Sequence, residues 1–265
     1  MKRLLFLAWQ DPVGRTWYPI GRLLSDNGHY TFLYTAGVRE ALKTGRFESI
    51  LPFPDIYSIY ESNDLFPLFQ NRLLPKSRPE YKSALEWLSI SETEDDPVAI
   101  LARSGGQKAT DTFEVFPCPE PTAQGSYETH FLLHGLSHMP PNAADRALSL
   151  VPGESLLVMR DFQNPKDELA LALRTSEQYP GDVHIIGYCP RYLRNDILTL
   201  MANGVGENSP RVTVVRVNPP PAPIQYRVLC RVEMGWREGF EPFSAAEFQP
   251  IIGKALDMRN LQKVG

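Results

Sequence analysis

The order of apolar and polar positions divides the chain into short strands and a few short helices. The run Leu4-Leu5-Phe6-Leu7-Ala8-Trp9 stops at Gln10 and Asp11. It is too short for a membrane span, which needs about 20 apolar residues, and it lacks a small-residue cleavage site. It reads as a buried first strand. Asp26-Asn27-Gly28 is a tight-turn signal, because Asn and Gly tolerate positive φ, and Tyr30, Phe32 and Tyr34 alternate with Thr31, Leu33 and Thr35 after it. A β-hairpin follows from that pattern. Tyr81, Leu85 and Leu88 recur at helical spacing, and the acidic run Glu92 to Asp96 precedes a second helical stretch from Pro97 to Arg103, where carboxylates complement the helix dipole. Between Leu156 and Gly204, apolar runs at Leu156–Met159, Leu169–Leu173 and Val183–Tyr188 give strand, strand, strand, and an amphipathic helix follows. Arg211–Val217 and Tyr226–Met234 read as two further strands, and Ala245–Met258 has helical periodicity.

Composition adds limits. The 24 prolines cluster at 117–121, 140–141 and 219–223, which marks extended connections. At 265 residues, two halves of different texture predict two domains. The boundaries expected are a β-rich module over 1–117, a proline-rich linker over 118–126, a barrel over 127–240 and a helical tail over 241–265. Cys118, Cys189 and Cys230 form no paired framework, which suits a reducing, cytoplasmic setting. Net charge is −4, and residues 127–265 carry 14 Lys and Arg against 15 Asp and Glu. Bulk charge therefore gives no support to non-specific duplex binding, and any nucleic-acid site must be local.

Candidate chemistry concentrates in the turn Asn164-Pro165-Lys166-Asp167. Pro165 fixes φ, and Asn164 and Asp167 can bond neighbouring backbone groups, so the turn is rigid and displays polar side chains. His130, His134 and His138 lie four apart, which puts them on one face of a helix or a strand. Without carboxylate or thiolate partners at ligand spacing, and with Gly135 and Pro140 interrupting a helix, they read as part of a half-exposed strand. No metal or cofactor site is expected. There is no Gly-x-Ser-x-Gly elbow, no phosphate loop of Walker type and no His-Glu-x-x-His, and Gly204-x-Gly206 follows a helix where a dinucleotide fingerprint would precede one. Catalytic residues are therefore not expected.

The order Arg160, Asn164-Pro165-x-Asp167, a Leu/Ala strand, Ile186-Gly187-Tyr188-x-Pro190-Arg191 and an amphipathic helix resembles a HIRAN domain. The resemblance implies a six-stranded OB- or SH3-like barrel with one main helix, its first strand over 129–136, that binds single-stranded DNA with a free 3′ end in a pocket. Two positions depart from the family: Ser137 stands where a basic residue is usual, and Lys166 where the turn usually carries an aromatic. The residues themselves are consistent with that chemistry. A carboxylate such as Asp167 repels phosphates yet accepts a hydrogen bond from a terminal hydroxyl. Arg160, Lys166 and Arg191 can contact phosphates, and Tyr188 and His138 offer stacking faces worth about 1–3 kcal/mol per base.

Residues 10–117 resemble the N-terminal subdomain of HipA-type kinases through Ile20-Gly21-Arg22-Leu23, the Tyr30–Tyr34 strand, Phe69-x-Asn71-x-Leu73-Leu74-Pro75, and Asp96-Pro97-x-x-Ile100-Leu101-Ala102 with Gly105-Gly106. Ala109-Thr110 replaces the family's Gly-Ala. That resemblance implies docking on a separate kinase-like chain, and no kinase core follows. The sequence thus predicts a β-rich α+β, non-enzymatic protein that binds single-stranded DNA, with its first half docking a kinase-like or DNA-processing partner. The competing expectation is an antitoxin-like interaction module in which the barrel is only scaffold.

Overall fold

A computed structural model describes residues 2–94, 96–177, 180–202 and 209–252. Contacts group them into two units interleaved in sequence, the first from residues 2–74, 96–118 and 243–252, the second from 75–94, 119–177, 180–202 and 209–242.

The first unit is an antiparallel sheet of β1 (Arg3–Gln10), β2 (Trp17–Asp26), β3 (His29–Tyr34), β4 (Tyr60–Ser62) and β5 (Phe113–Pro117), in the order β4-β3-β2-β1-β5. Its helices are α1 (Val38–Lys43), α2 (Pro67–Gln70) and, beyond an α3 (Tyr81–Trp87) that belongs to the second unit, α4 (Pro97–Ser104). As the acidic run predicts, Asp96 caps α4 by accepting from the Val98 N–H at 2.9 Å. The apolar run of β1 is buried on both sides. Leu5, Leu7 and Trp9 join Ile20, Phe32, Tyr34, Val98 and Leu101 in one core, while Phe6 packs at 5.6, 5.0 and 5.3 Å between ring centroids on Phe116, Phe243 and Phe248. The chain thus returns after residue 242 to cover a sheet face begun at residue 3. Arg22 holds that return, donating to the Phe248 carbonyl at 2.8 Å and to Gln249 Oε1 at 3.2 Å.

The second unit contains β6 (Ser126–Leu132), α5 (Pro141–Leu148), β7 (Ser155–Arg160), β8 (Leu171–Thr175), β9 (Ile185–Tyr188), α6 (Arg191–Met201), β10 (Arg211–Val217) and β11 (Val228–Gly235). Its six strands form one antiparallel sheet in the order β6-β11-β10-β7-β8-β9. Register shifts at 214/216 on β10 and 173/174 on β8 bend the sheet. It curls until its two outer strands meet, because His134, just past β6, makes an antiparallel bridge to Tyr188 at the end of β9. The seam consists of His134 N–H to Tyr188 O at 3.0 Å and Tyr188 N–H to His134 O at 2.9 Å. Gly187, at φ 153°, is a glycine because a Cβ there would lie 2.6 Å from the His134 carbonyl. Inside the curl, Phe131, Leu156, Leu173, Ile186, Val212 and Val232 meet Leu193, Ile197 and Leu200 of α6, a stripe spaced i, i+4, i+7.

Away from the seam, Arg146 of α5 is almost fully buried between two carboxylates. It donates to Asp182 at 2.8 Å and 2.9 Å and to Glu154, with side-chain exposures of 10% for Arg146, 0% for Asp182 and 2% for Glu154. Helix α3 joins this unit through Asn218, whose amide donates to the Trp87 carbonyl at 2.9 Å, and through Trp87 against Tyr226, 6.2 Å between ring centroids.

The β-rich α+β class, the hairpin, the strand-strand-strand-helix run and the six-stranded curl agree with the sequence reading. Three local expectations are corrected. The helix expected from Ala245 is absent over the described part: residues 246–248 form a single 3-10 turn, and Pro250 lies in an extended bridge to Thr35. A proline inside the pattern removes a helical donor and pushes Gln249 to extended backbone; Gly204 and residues 253–258 of the expected helices lie outside the described residues. The first barrel strand ends at Leu132 rather than Leu136, since Gly135 adopts φ 77° and starts a 3-10 turn over Leu136–His138. Pro140-Pro141, expected in a connection, instead opens α5 with Pro141 in its first turn.

Candidate nucleic-acid interface

The side chains singled out in the sequence fall around the seam of the curled sheet. The turn between β7 and β8 is held by its own backbone: Asp161 N–H donates to Ala170 O at 3.0 Å, Ala170 N–H to Asp167 O at 3.0 Å, and Asn164 N–H to Asp161 O at 3.2 Å. Asn164 is a bracket within it, its Oδ1 accepting from the N–H groups of Lys166 at 3.0 Å and Asp167 at 3.2 Å. Such local bonds fix a short polar loop without help from a ladder.

Asp167 faces the first turn of α6. Its carboxylate, 8% exposed, accepts from Arg194 and lies 3.3 Å from Arg191 Nε, and its Oδ1 also accepts from the Leu169 N–H at 3.1 Å. Arg191 reaches the turn a second time, donating to the Lys166 carbonyl at 2.7 Å. One guanidinium therefore clamps the turn backbone and flanks the carboxylate. The Lys166 side chain is exposed.

Tyr188 links this turn to the seam. Its hydroxyl donates to Asp161 Oδ2 at 2.9 Å, and its ring lies against Gly135, where a Cβ would stand 3.1 Å from the ring edge. Burial, with Asp161 adding to it, raises the phenol above its ordinary value. His134 pairs with Tyr188 through the backbone, and burial pushes its imidazole down to about 4. His138 is exposed in the 3-10 turn that follows. Arg160 ends β7, with its guanidinium 5.4 Å from the centroid of the Phe162 ring.

The structure thus brings Asn164, Lys166, Asp167, Tyr188 and Arg191 into one bonded constellation. Arg160 and His138 lie at its edges, joined through Asp161 and through the His134 bridge. His130, on β6 opposite Arg231, is separate from it, and no cluster of His, Cys, Asp and Glu suited to a metal occurs among the described residues. Two members were not found by reading the sequence. Arg194 could have been, since it sits three residues after Arg191 on the same helix face. Asp161 could not, because its role rests on Tyr188, 27 residues away.

No helix among the described residues is long and apolar enough to cross a membrane. No curated protein matches the chain. Among solved structures, the chain is similar to the crystal structure of a protein from Lactobacillus plantarum at 17% identity and TM-score 0.31, over 42% of this chain and 97% of that one. It is also similar to the crystal structure of the HIRAN domain of human HLTF, at 17% identity and TM-score 0.29, over 42% of this chain and 74% of that one. Residues 127–236 match the family model of the HIRAN domain, and this segment of the chain is a HIRAN domain.

Proposed function

We propose that the second unit binds single-stranded DNA at a free 3′ end, without catalysis. The observation that carries this reading is the Asp167 carboxylate set between Arg191 and Arg194. Alone, a buried carboxylate would repel the last phosphate of a strand. Flanked by two guanidiniums, it keeps lone pairs for a terminal hydroxyl while the same cations attract the adjoining phosphate. A 3′-phosphate in that place would bring its charge directly against the carboxylate. The HIRAN match supports the reading, since the family is in general a module for single-stranded DNA and its 3′ ends. Lys166 and Arg160 add phosphate contacts at the rim, and Tyr188 and His138 supply aromatic faces.

The kinase docking implied for the first half gains no support from the family match, which begins at residue 127, and is not part of this reading.

Fluorescence anisotropy with short labelled oligonucleotides at fixed low salt tests the proposal. The protein is expected to prefer a 3′-hydroxyl strand over the same strand with a 3′-phosphate. Asp167→Asn, which keeps the side chain's shape, should abolish the preference. Arg194→Ala should weaken both strands, by about ten-fold for loss of a charged hydrogen bond. Equal affinity for the two strands in the unmodified protein, or no binding at roughly 100 μM, equivalent to less than about 6 kcal/mol, would sink the reading.

A further inference from the structure

Lys166 takes from the turn the aromatic that a base would stack on, yet the turn still presents an aromatic at another position. Phe162 is 75% exposed, in a unit whose other described phenylalanines, Phe131 and Phe240, belong to or pack on its core. Its backbone is held firmly. The flanking Asp161 is tied to Ala170 and Tyr188, Asp161 Oδ1 accepts from the Gln163 N–H at 3.2 Å, and Asn164 N–H returns to Asp161 O. A ring displayed on a fixed turn loses little conformational freedom when a flat partner settles on it. Arg160 lies with its guanidinium 5.4 Å from the ring centroid, a cation that holds the ring and brings positive charge to any phosphate beside it. Asp161 further ties this ring to the proposed pocket, because the carboxylate next to Phe162 in sequence is the one that receives the Tyr188 hydroxyl.

We propose that Phe162, backed by Arg160 and four positions before Lys166, is a further base-stacking platform of this HIRAN domain, taking an unpaired base near the 3′ end of the strand. Resting on the end-binding reading above, the proposal assigns the turn two labours on two residues: Phe162 stacks a base and Lys166 meets a phosphate. Occupancy is by a nucleobase rather than an apolar protein side chain, because a guanidinium beside the ring matches the anionic backbone that accompanies every base.

The test is a cycle between protein and oligonucleotide, using the full chain and short 3′-hydroxyl strands in which each of the last four nucleotides in turn is made abasic. Phe162→Ala should weaken the intact strand by about ten-fold, and Phe162→Tyr should restore it. At one position the abasic strand should lose about as much with the unmodified protein and nothing further with Phe162→Ala. If the unmodified protein binds but Phe162→Ala binds equally well, or if every abasic strand loses the same factor in both proteins, the platform is refuted while end binding stands. If the unmodified protein binds no strand, end binding falls and the platform with it. Phe162 is a surface position, so its variants should keep the far-ultraviolet circular dichroism of the parent.

Discussion

Each unit buries a titratable group that responds to pH in the opposite sense to the other. In the first, Glu114 of β5 lies under Gly105, at the end of α4, and burial pushes its carboxyl up to about 8, with Gln107 opposing by a hydrogen bond. In the second, burial pushes His134 at the sheet seam down to about 4, and Arg146 holds the Asp182 carboxyl below its ordinary value. Glu114 keeps a proton that water would remove, while His134 refuses one that water would give. At these two positions the sheets respond oppositely to pH, and a single melting curve for the whole protein would average away the difference.

The strongest way to separate them is at Arg146. Arg146→Met leaves Glu154 and Asp182 as buried carboxylates without their cation, a loss of about 3–5 kcal/mol. Hydrogen exchange read by mass spectrometry should show protection falling in β7, β8 and α6 and unchanged in β1 and β2. Equal loss in both would mean that the units unfold as one, and the domain division proposed here would go.

The pH comparison comes next in size. Glu114 has a folded value above its ordinary 4.5, so the folded state keeps a proton the unfolded chain has lost. Its contribution is complete below about 4.5 and drains away as pH rises through about 8. His134 has a folded value below its ordinary 6.5, so the unfolded chain takes up the proton first. Its contribution is complete above about 6.5 and drains away as pH falls through about 4, and the lowered Asp182 adds loss in the same direction at still lower pH. Exchange protection, corrected for the intrinsic pH dependence of exchange, should therefore fall in the first unit and rise in the second between pH 5 and pH 8. Glu114→Gln should flatten the response of β1 and β5, and His134→Asn that of β6 and β9.

The smallest effect is at a helix end. Asp96→Ala removes the α4 cap and should cost the first unit about 1 kcal/mol, with no change in the second. It calibrates how small a difference the exchange measurement can assign to one unit.

Much of this architecture could be read from the sequence because it is local. The alternation at Tyr30–Tyr34, the three runs between Leu156 and Tyr188, the cap at Asp96 and the rigid turn at Asn164–Asp167 each depend on residues within a few positions of one another. What could not be read depends on distance along the chain. Nothing near Trp87 announces that its carbonyl will receive Asn218, 131 residues on, so α3 could not be assigned to the second unit. Arg146 looks like an ordinary helical arginine until Asp182 folds against it. The tail misled for a local reason: the apolar spacing of Phe248, Ile251 and Ile252 matches a helix, but Pro250 between them forbids one, and the Phe residues face a sheet whose need for cover is not written nearby. In the candidate site, the turn and Arg191 were legible, whereas Asp161 acquires its meaning only when Tyr188 arrives.

The late return of Phe243 and Phe248 onto Phe6 bears on how the protein is made. β1 and β2 leave the ribosome before the second unit, but the aromatic cover for the Phe6 face emerges only after the whole curled sheet of the second unit has been synthesised. Domains tend to fold as they emerge, so here the unit begun first should be finished last. Through that interval a nascent chain carries a sheet with one uncovered aromatic face, the kind of surface that chaperones shield. A released fragment ending at residue 242 should therefore show a folded second unit and a first unit whose Phe6 face lacks the cover of Phe243 and Phe248.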